Sequence, residues 1–256
     1  MTFCHARSAR TVMQDNTMNE AAADPRSLPM ARSMCWHCQS EVKGEYLCGR
    51  CIKVQPLSTE LDYFSCLNLP RKLNIDRDEI EATFYRLNRV FHPDFYAKGD
   101  DHNEKTISLG NSALVNTAYR TLRDPIQRAE YLIRLEAGSA KEIRTAPPAD
   151  LFEEILELQD DLNAFRAGDP KEHSAEMTKL RQTLQAAQAS LTNRLQQLDA
   201  QLFEAFEVWD ALQEETSDEA EAVRVRKEHV LEEMQGILSN RTYVRNIVND
   251  VVATIK

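Results

Sequence analysis

Two groups of residues in this chain have the types and spacing to do chemistry. Cys35-Trp36-His37-Cys38 and Cys48-Gly49-Arg50-Cys51 together spell C-x2-C-x9-C-x2-C. Each pair can fold into a knuckle that presents two thiolates, and two knuckles complete the tetrahedral set of a single ion. Four sulfur ligands select zinc, with iron, either mononuclear or as a small cluster, as the alternative. Gly49 suits the tight turn of a knuckle. Four unligated surface thiols would be oxidation liabilities. Coordination by Cys35, Cys38, Cys48 and Cys51 is closed, so it predicts a structural site with no open position for hydrolysis. Lys43, Arg50 and Lys53 are offset by Glu41 and Glu45, which leaves the module without a phosphate-binding patch.

The second group is His92-Pro93-Asp94. Pro93 disfavours the helical region at His92, so the preceding helix should end near Phe91 and leave the tripeptide at a stiff, exposed corner. His92 and Asp94 lack the third orienting group and the pocket that acid–base catalysis requires, so they point to recognition and not to an enzyme. Asp76 with Glu79 is a variant capping box that opens this helix, and Ile80, Phe84, Leu87 and Phe91 form its buried stripe. Arg86 and Arg89 fall on the other side, as a solvated face or a basic docking face. A second amphipathic helix, about residues 103 to 122, carries Ile107, Leu114, Ala118 and Leu122 on one side, and the two helices should pack antiparallel around the corner.

The rest of the chain must position these groups. Its 256 residues hold 42% apolar and 28% charged side chains but only 7 Gly and 9 Pro. That balance lacks the turn punctuation of a β-sandwich and predicts an all-α fold. With 41 acidic against 31 basic residues the net charge is -10, which disfavours nucleic acid as a partner. No segment approaches the roughly 20 apolar residues of a membrane span, so a soluble chain is expected. Residues 1–33 lack periodicity and predict a disordered leader that includes Cys4; Cys66 is expected to be packed. Six cysteines, four of them in C-x2-C pairs, suit a reducing compartment. The reading is cytoplasmic, with the mitochondrial matrix as the alternative because residues 1 to 13 carry basic residues and no acid. The segments are then the leader at 1–33, the tetracysteine module at 34–56, a helical-hairpin domain at 57–137, a linker at 138–148 and a C-terminal helical bundle at 149–256.

In the C-terminal part, a helix from about 149 to 165 has a complete core stripe in Leu151, Ile155, Leu158, Leu162 and Phe165. Phe152 and Leu156 fall on a different face beside Glu153, Glu157 and Asp160. An apolar pair flanked by carboxylates fits a partner surface, although packing against another helix of the bundle would also explain the pair. From about 174 to 212, apolar residues from Met177 through Leu184, Leu191, Leu198 and Leu202 to Trp209 recur at three and four residues. This predicts a helix of about 40 residues, roughly 60 Å long. Val223, Val230, Met234, Ile237, Tyr243, Ile247 and Val251 supply the antiparallel return.

The stretch from Asp62-Tyr63-Phe64 through His92-Pro93-Asp94 to Asn116-Thr117-Ala118-Tyr119-Arg120-Thr121-Leu122 and Asp124-Pro125 resembles a J-domain. That resemblance implies that His92, Pro93 and Asp94, with Arg86 and Arg89, dock on a DnaK-type chaperone and stimulate its ATP hydrolysis. Leu151-Phe152-Glu153-Glu154-Ile155-Leu156-Glu157-Leu158 resembles the first C-terminal helix of the HscB co-chaperones. It implies an all-α fold with a J-domain hairpin and a C-terminal three-helix bundle that binds an IscU-type iron-sulfur scaffold through Phe152, Glu153, Leu156, Glu157 and Asp160. Tyr243 is the weaker aromatic candidate on the last helix. The paired cysteines resemble the N-terminal metal module of some members of that family. The implied function is to deliver the scaffold to an HscA-like chaperone; a general J-protein adaptor for a different client is the alternative. The long C-terminal hairpin departs from the family pattern.

Overall fold

A computed structural model describes residues 33–97, 101–137, 151–168, 174–215 and 220–255. The expected leader up to residue 32 with Cys4, the linker at 138–148 and the break at Thr216-Ser217-Asp218 lie outside the described residues. Among those described, helices dominate and there is no strand, only isolated bridges between Met34 and Glu41 and between Leu47 and Val54.

Caps written in the sequence set the helix starts. Asp62 precedes α1 (Tyr63–Cys66) and accepts from the Ser65 N–H; Asp76 precedes α2 (Arg77–Phe91) and accepts from Asp78 N–H. After His92 comes a one-turn α3 (Pro93–Tyr96), then α4 (His102–Arg123), whose first turn is capped by Asp101. The Asp124 side chain accepts from Ile126 and Gln127 N–H at the start of α5 (Pro125–Ala137). Pro125 sits at the first helical position, where a missing N–H costs nothing. Then follow α6 (Phe152–Ala167), α7 (Ala175–Glu214), capped by Ser174, and α8 (Ala220–Ile255).

Helices α2 and α4 pack antiparallel. Ser108 Oγ donates to the Phe91 carbonyl at one end, and Phe84 stacks on Tyr119 at 4.0 Å toward the other. Ile80, Leu87 and Phe91 are buried with Val115, Ala118 and Leu122. Burying each of these side chains other than Ala118 contributes about 1.5–3 kcal/mol. Cys66 is fully buried, and its thiol is pushed up to about 12 by that burial.

The C-terminal helices form the three-helix bundle. Helices α7 and α8 run antiparallel, joined by Arg241 to Asp199, by Lys227 to Gln213 at 3.2 Å and by Arg181 to the Ile255 carbonyl at 2.8 Å. Helix α6 lies antiparallel to the N-terminal half of α7, with Glu154 near Ser190 and the Arg181 guanidinium 5.1 Å from the Phe165 ring. Leu184, Leu191, Leu198, Leu202, Phe206 and Trp209 make the buried seam of the 40-residue α7.

The C-terminal end of α7 grips the turn between α1 and α2. One carboxylate, Asp210, accepts from Leu73 N–H at 2.7 Å and Asn74 N–H at 2.8 Å. Trp209 Nε1 donates to the Arg71 carbonyl at 3.1 Å, and Lys72 pairs with Glu214.

Candidate functional site

The tetracysteine module consists of two near-identical turns. In the first, Gln39 N–H reaches the Cys35 carbonyl at 3.1 Å and Cys35 N–H reaches Ser40 O at 2.8 Å; in the second, Ile52 N–H reaches the Cys48 carbonyl at 2.8 Å and Cys48 N–H reaches Lys53 O at 2.9 Å. The residue after each pair takes a left-handed conformation, Gln39 at φ 60° and Ile52 at φ 61°. Gly49 is therefore not the residue that the turn demands, since the positive φ falls at Ile52.

All four sulfurs lie within 4.8 Å of one another, with Cys35 to Cys51 at 3.7 Å and Cys38 to Cys48 at 3.6 Å. A disulfide needs about 2.05 Å, whereas a tetrahedron with metal–sulfur bonds of about 2.3 Å has edges of about 3.8 Å. The donor set is therefore shaped for one ion. The sulfurs also receive hydrogen bonds: Cys35 Sγ faces the N–H groups of His37 and Cys38 at 3.4 and 3.5 Å and the Gln55 amide at 3.4 Å. Ser40 Oγ lies 3.0 Å from Cys38 Sγ and 3.2 Å from Cys48 Sγ. The Ser40 hydroxyl, with the N–H groups of Cys51 and Arg50, pulls the Cys48 thiol down to about 6, while burial pushes Cys51 up to about 12. Two of the sulfurs are partly exposed and two are buried, an arrangement suited to holding an ion and not to presenting it to a substrate.

At the His-Pro-Asp corner, His92 closes α2 and caps α3 with extended backbone, φ -63° and ψ 123°. Its Nδ1 accepts from Asp94 N–H at 3.3 Å and lies 3.7 Å from the Asp94 carboxylate. The stiff corner expected from the sequence is wound into a helical turn, Pro93–Tyr96. Tyr96 Oη donates to the Val90 carbonyl at 2.8 Å and locks the turn onto α2. The Asp94 carboxylate faces the His92 ring nitrogen and is 86% exposed, so it is accessible to a cation from outside. Arg86 and Arg89 are exposed on α2, and Phe95 on α3, whose ring lies 6.0 Å from that of His92, is exposed as well.

On α6 the two faces separate cleanly. Ile155, Leu158, Leu162 and Phe165 are buried, while Phe152, at 53% exposure, and Leu156, at 48%, point outward. At 100° per residue Phe152, Glu153, Leu156, Glu157 and Asp160 span an arc of about 140°, opposite the buried stripe. All five are exposed, so the carboxylates flank the apolar pair on one accessible surface. Tyr243 is half-buried on α8, two residues beyond the Arg241 that bonds Asp199.

Several residues that hold these groups in place escaped sequence reasoning. Asn111, 4% exposed on α4, accepts from Leu57 N–H at 3.0 Å and donates to the Gln55 carbonyl at 2.8 Å. Lys53 reaches Glu104 at 2.6 Å, and Tyr46 sets its ring edge on Phe91 at 5.5 Å. The one available signal was the presence of polar residues, Ser108, Asn111 and Ser112, on the inner face of α4.

Known proteins resemble this chain in sequence and in fold. A DnaJ domain matches residues 62–131. The mouse (Mus musculus) iron-sulfur cluster co-chaperone protein HscB is 31% identical over 167 residues, which cover 63% of this chain and 68% of the relative. The crystal structure of the human co-chaperone protein HscB superposes with a TM-score of 0.53 at 22% identity, covering 86% of this chain and 97% of that one, and so shares its fold. The chaperone HscB from Vibrio cholerae has a TM-score of 0.43 at 22% identity over 75% of this chain and 99% of its own. The helical hairpin, the three-helix bundle and the kinship with the mouse protein converge: the chain belongs to the HscB family of iron-sulfur cluster co-chaperones.

Proposed function

We propose that this co-chaperone binds an IscU-type iron-sulfur scaffold on α6, brings it to a DnaK-type, HscA-like chaperone, and stimulates that chaperone's ATP hydrolysis through the His-Pro-Asp corner. The observation that carries the reading is the outward-facing pair Phe152 and Leu156, framed by Glu153, Glu157 and Asp160 on a helix whose other face is fully used by the bundle. An exposed apolar pair of this kind supplies anchors, and the carboxylates set orientation and exclude acidic partners. Tyr243 on α8 is a further aromatic contact for the scaffold.

The division of labour follows the segments. Residues 57–137 act as the J-domain, residues 149–256 as the scaffold-binding bundle, and residues 34–56 as the metal module. At the J-domain, Asp94 pairs with an arginine of the chaperone in a charge-assisted bond, and Arg86 and Arg89 meet an acidic surface. His92 holds Asp94's backbone, so the corner docks preorganised. The protein itself performs no chemistry; the bond it helps to cleave lies in the chaperone's nucleotide. Zinc, held by Cys35, Cys38, Cys48 and Cys51, supplies a structural cross-link. A tetrathiolate site is maintained in a reducing compartment, either the cytoplasm or a mitochondrial matrix.

The test is scaffold affinity of a Phe152→Ala and Leu156→Ala double variant, measured by calorimetry against the wild type. A loss of at least about tenfold is expected from removing two exposed anchors. Unchanged affinity would sink the assignment of α6 and favour an adaptor for a different client.

A further inference from the structure

The tetracysteine module does not stand apart from the hairpin; it is fastened to it at three places. The first is Tyr46, between the two knuckles. Its ring meets Phe91 edge-on at 5.5 Å, and its hydroxyl accepts from Arg86 at 3.3 Å. The second is Lys53, two residues beyond Cys51, which pairs with Glu104 at 2.6 Å and Asp101 at 3.5 Å. The third is Asn111, whose amide ties both Gln55 O and Leu57 N–H. Gln55 is 1% exposed, and its own side chain returns to Cys35 Sγ at 3.4 Å and Lys53 O at 2.7 Å.

These ties bracket one segment. Phe91 is the last residue of α2, immediately before His92, and Asp101 is the cap of α4. The module therefore grips both ends of the stretch that carries His92, Pro93 and Asp94, and it holds Arg86 from one side. Its own core is small: among residues 33 to 57 only Cys35, Cys48, Val54, Gln55 and Leu57 are buried. So few buried groups cannot keep about 25 residues folded without a cross-link, so the ion that joins the four thiolates also maintains the three ties.

We propose that the tetracysteine module is a metal-set clamp on the His-Pro-Asp end of the hairpin, with Tyr46 and Lys53 as positioning residues for the chaperone-docking corner. The role rests on the docking reading given above. With the ion bound, the end of α2 and the first turn of α4 are held at a fixed separation and Arg86 is oriented. With the ion lost, the module melts, both ends are released, and the corner docks at the cost of reordering itself.

Hydrogen exchange on the full-length chain tests the clamp without relying on activity. The samples are protein carrying one equivalent of zinc, chelator-stripped protein, and a zinc-loaded Tyr46→Ala and Lys53→Met double variant with its stoichiometry verified. Amides in residues 86–91 and 102–108 should exchange at least about tenfold faster in both the stripped protein and the variant, while residues 114–122 and the body of α8 are unchanged. The affinity of the zinc-loaded wild type for the ATP-bound chaperone should exceed that of the stripped protein by about fivefold or more. If the acceleration is missing from either sample, or is spread equally through residues 114–122 and α8, the clamp is overturned. If neither form engages the chaperone, the docking reading fails, and the exchange data still decide whether the clamp exists.

Discussion

Replacing Asp210 loosens the junction of bundle and hairpin at one atom group, and the cost can be worked out from its contacts. One carboxylate accepts from Leu73 N–H at 2.7 Å and from Asn74 N–H at 2.8 Å. Bonds to a charged acceptor are worth about 1.5–3 kcal/mol each; because Asn74 is exposed, the lower figure applies. Arg128, 5% exposed, has its charge disfavoured by burial and supported by the fields of Asp210 and Asp124. Asp210→Ala therefore removes two bonds and one of those two supports, for a loss of at least about 3 kcal/mol. Asp210→Asn keeps one acceptor oxygen and should lose roughly half of that. Urea unfolding followed by circular dichroism, with zinc present throughout, gives both values, and exchange at the Leu73 and Asn74 amides reports the junction itself. If both variants fall within about 0.5 kcal/mol of wild type and those amides stay protected, the carboxylate does not fasten the junction and the reasoning is refuted.

Leu156 and Leu158 should dissociate folding from binding. Leu158→Ala, at 4% exposure, is expected to cost about 2–5 kcal/mol in denaturant unfolding, whereas Leu156→Ala, at 48%, should cost under about 1 kcal/mol and weaken scaffold binding; equal destabilisation would mean that Leu156 is packed. Cys35→Ser and Cys48→Ser should each lower bound metal well below one equivalent by elemental analysis, and full retention in either would contradict the four-sulfur site. Asn111→Ala leaves Leu57 N–H and Gln55 O without their partner, so a loss of about 2–4 kcal/mol is expected in unfolding; a change under about 0.5 kcal/mol would show that both find other partners.

Much of the fold was legible because helices advertise themselves through period and caps. Ser174 and the leucine repeat bound α7 to within two residues of its observed end, and the 100° spacing on α6 separates Phe152 and Leu156 from the core stripe. The four cysteines were legible from spacing, and they meet at bonding distance for one ion. Gly49 misled because glycine is the default for a tight turn. A ring closed by two thiolates imposes its own backbone and places a β-branched residue, Ile52, at φ 61°. The one-turn α3 was too short to show periodicity. Asp210, Asn111, Tyr46 and Lys53 were illegible for another reason: their partners lie 136 or 137, 54 or 56, 40 or 45, and 48 or 51 residues away. A single polar residue on a helix or in a turn leaves no pattern that identifies so distant a partner.

The most direct measurement is the single-turnover ATPase rate of a DnaK-type chaperone with this protein, wild type and His92→Gln, each with and without an iron-sulfur scaffold. The account predicts that wild type and scaffold together stimulate more than the product of their separate effects, and that His92→Gln abolishes the synergy while still binding the scaffold. Stimulation without synergy would contradict the coupling of the two surfaces, and no stimulation by the wild type would contradict the account at its centre.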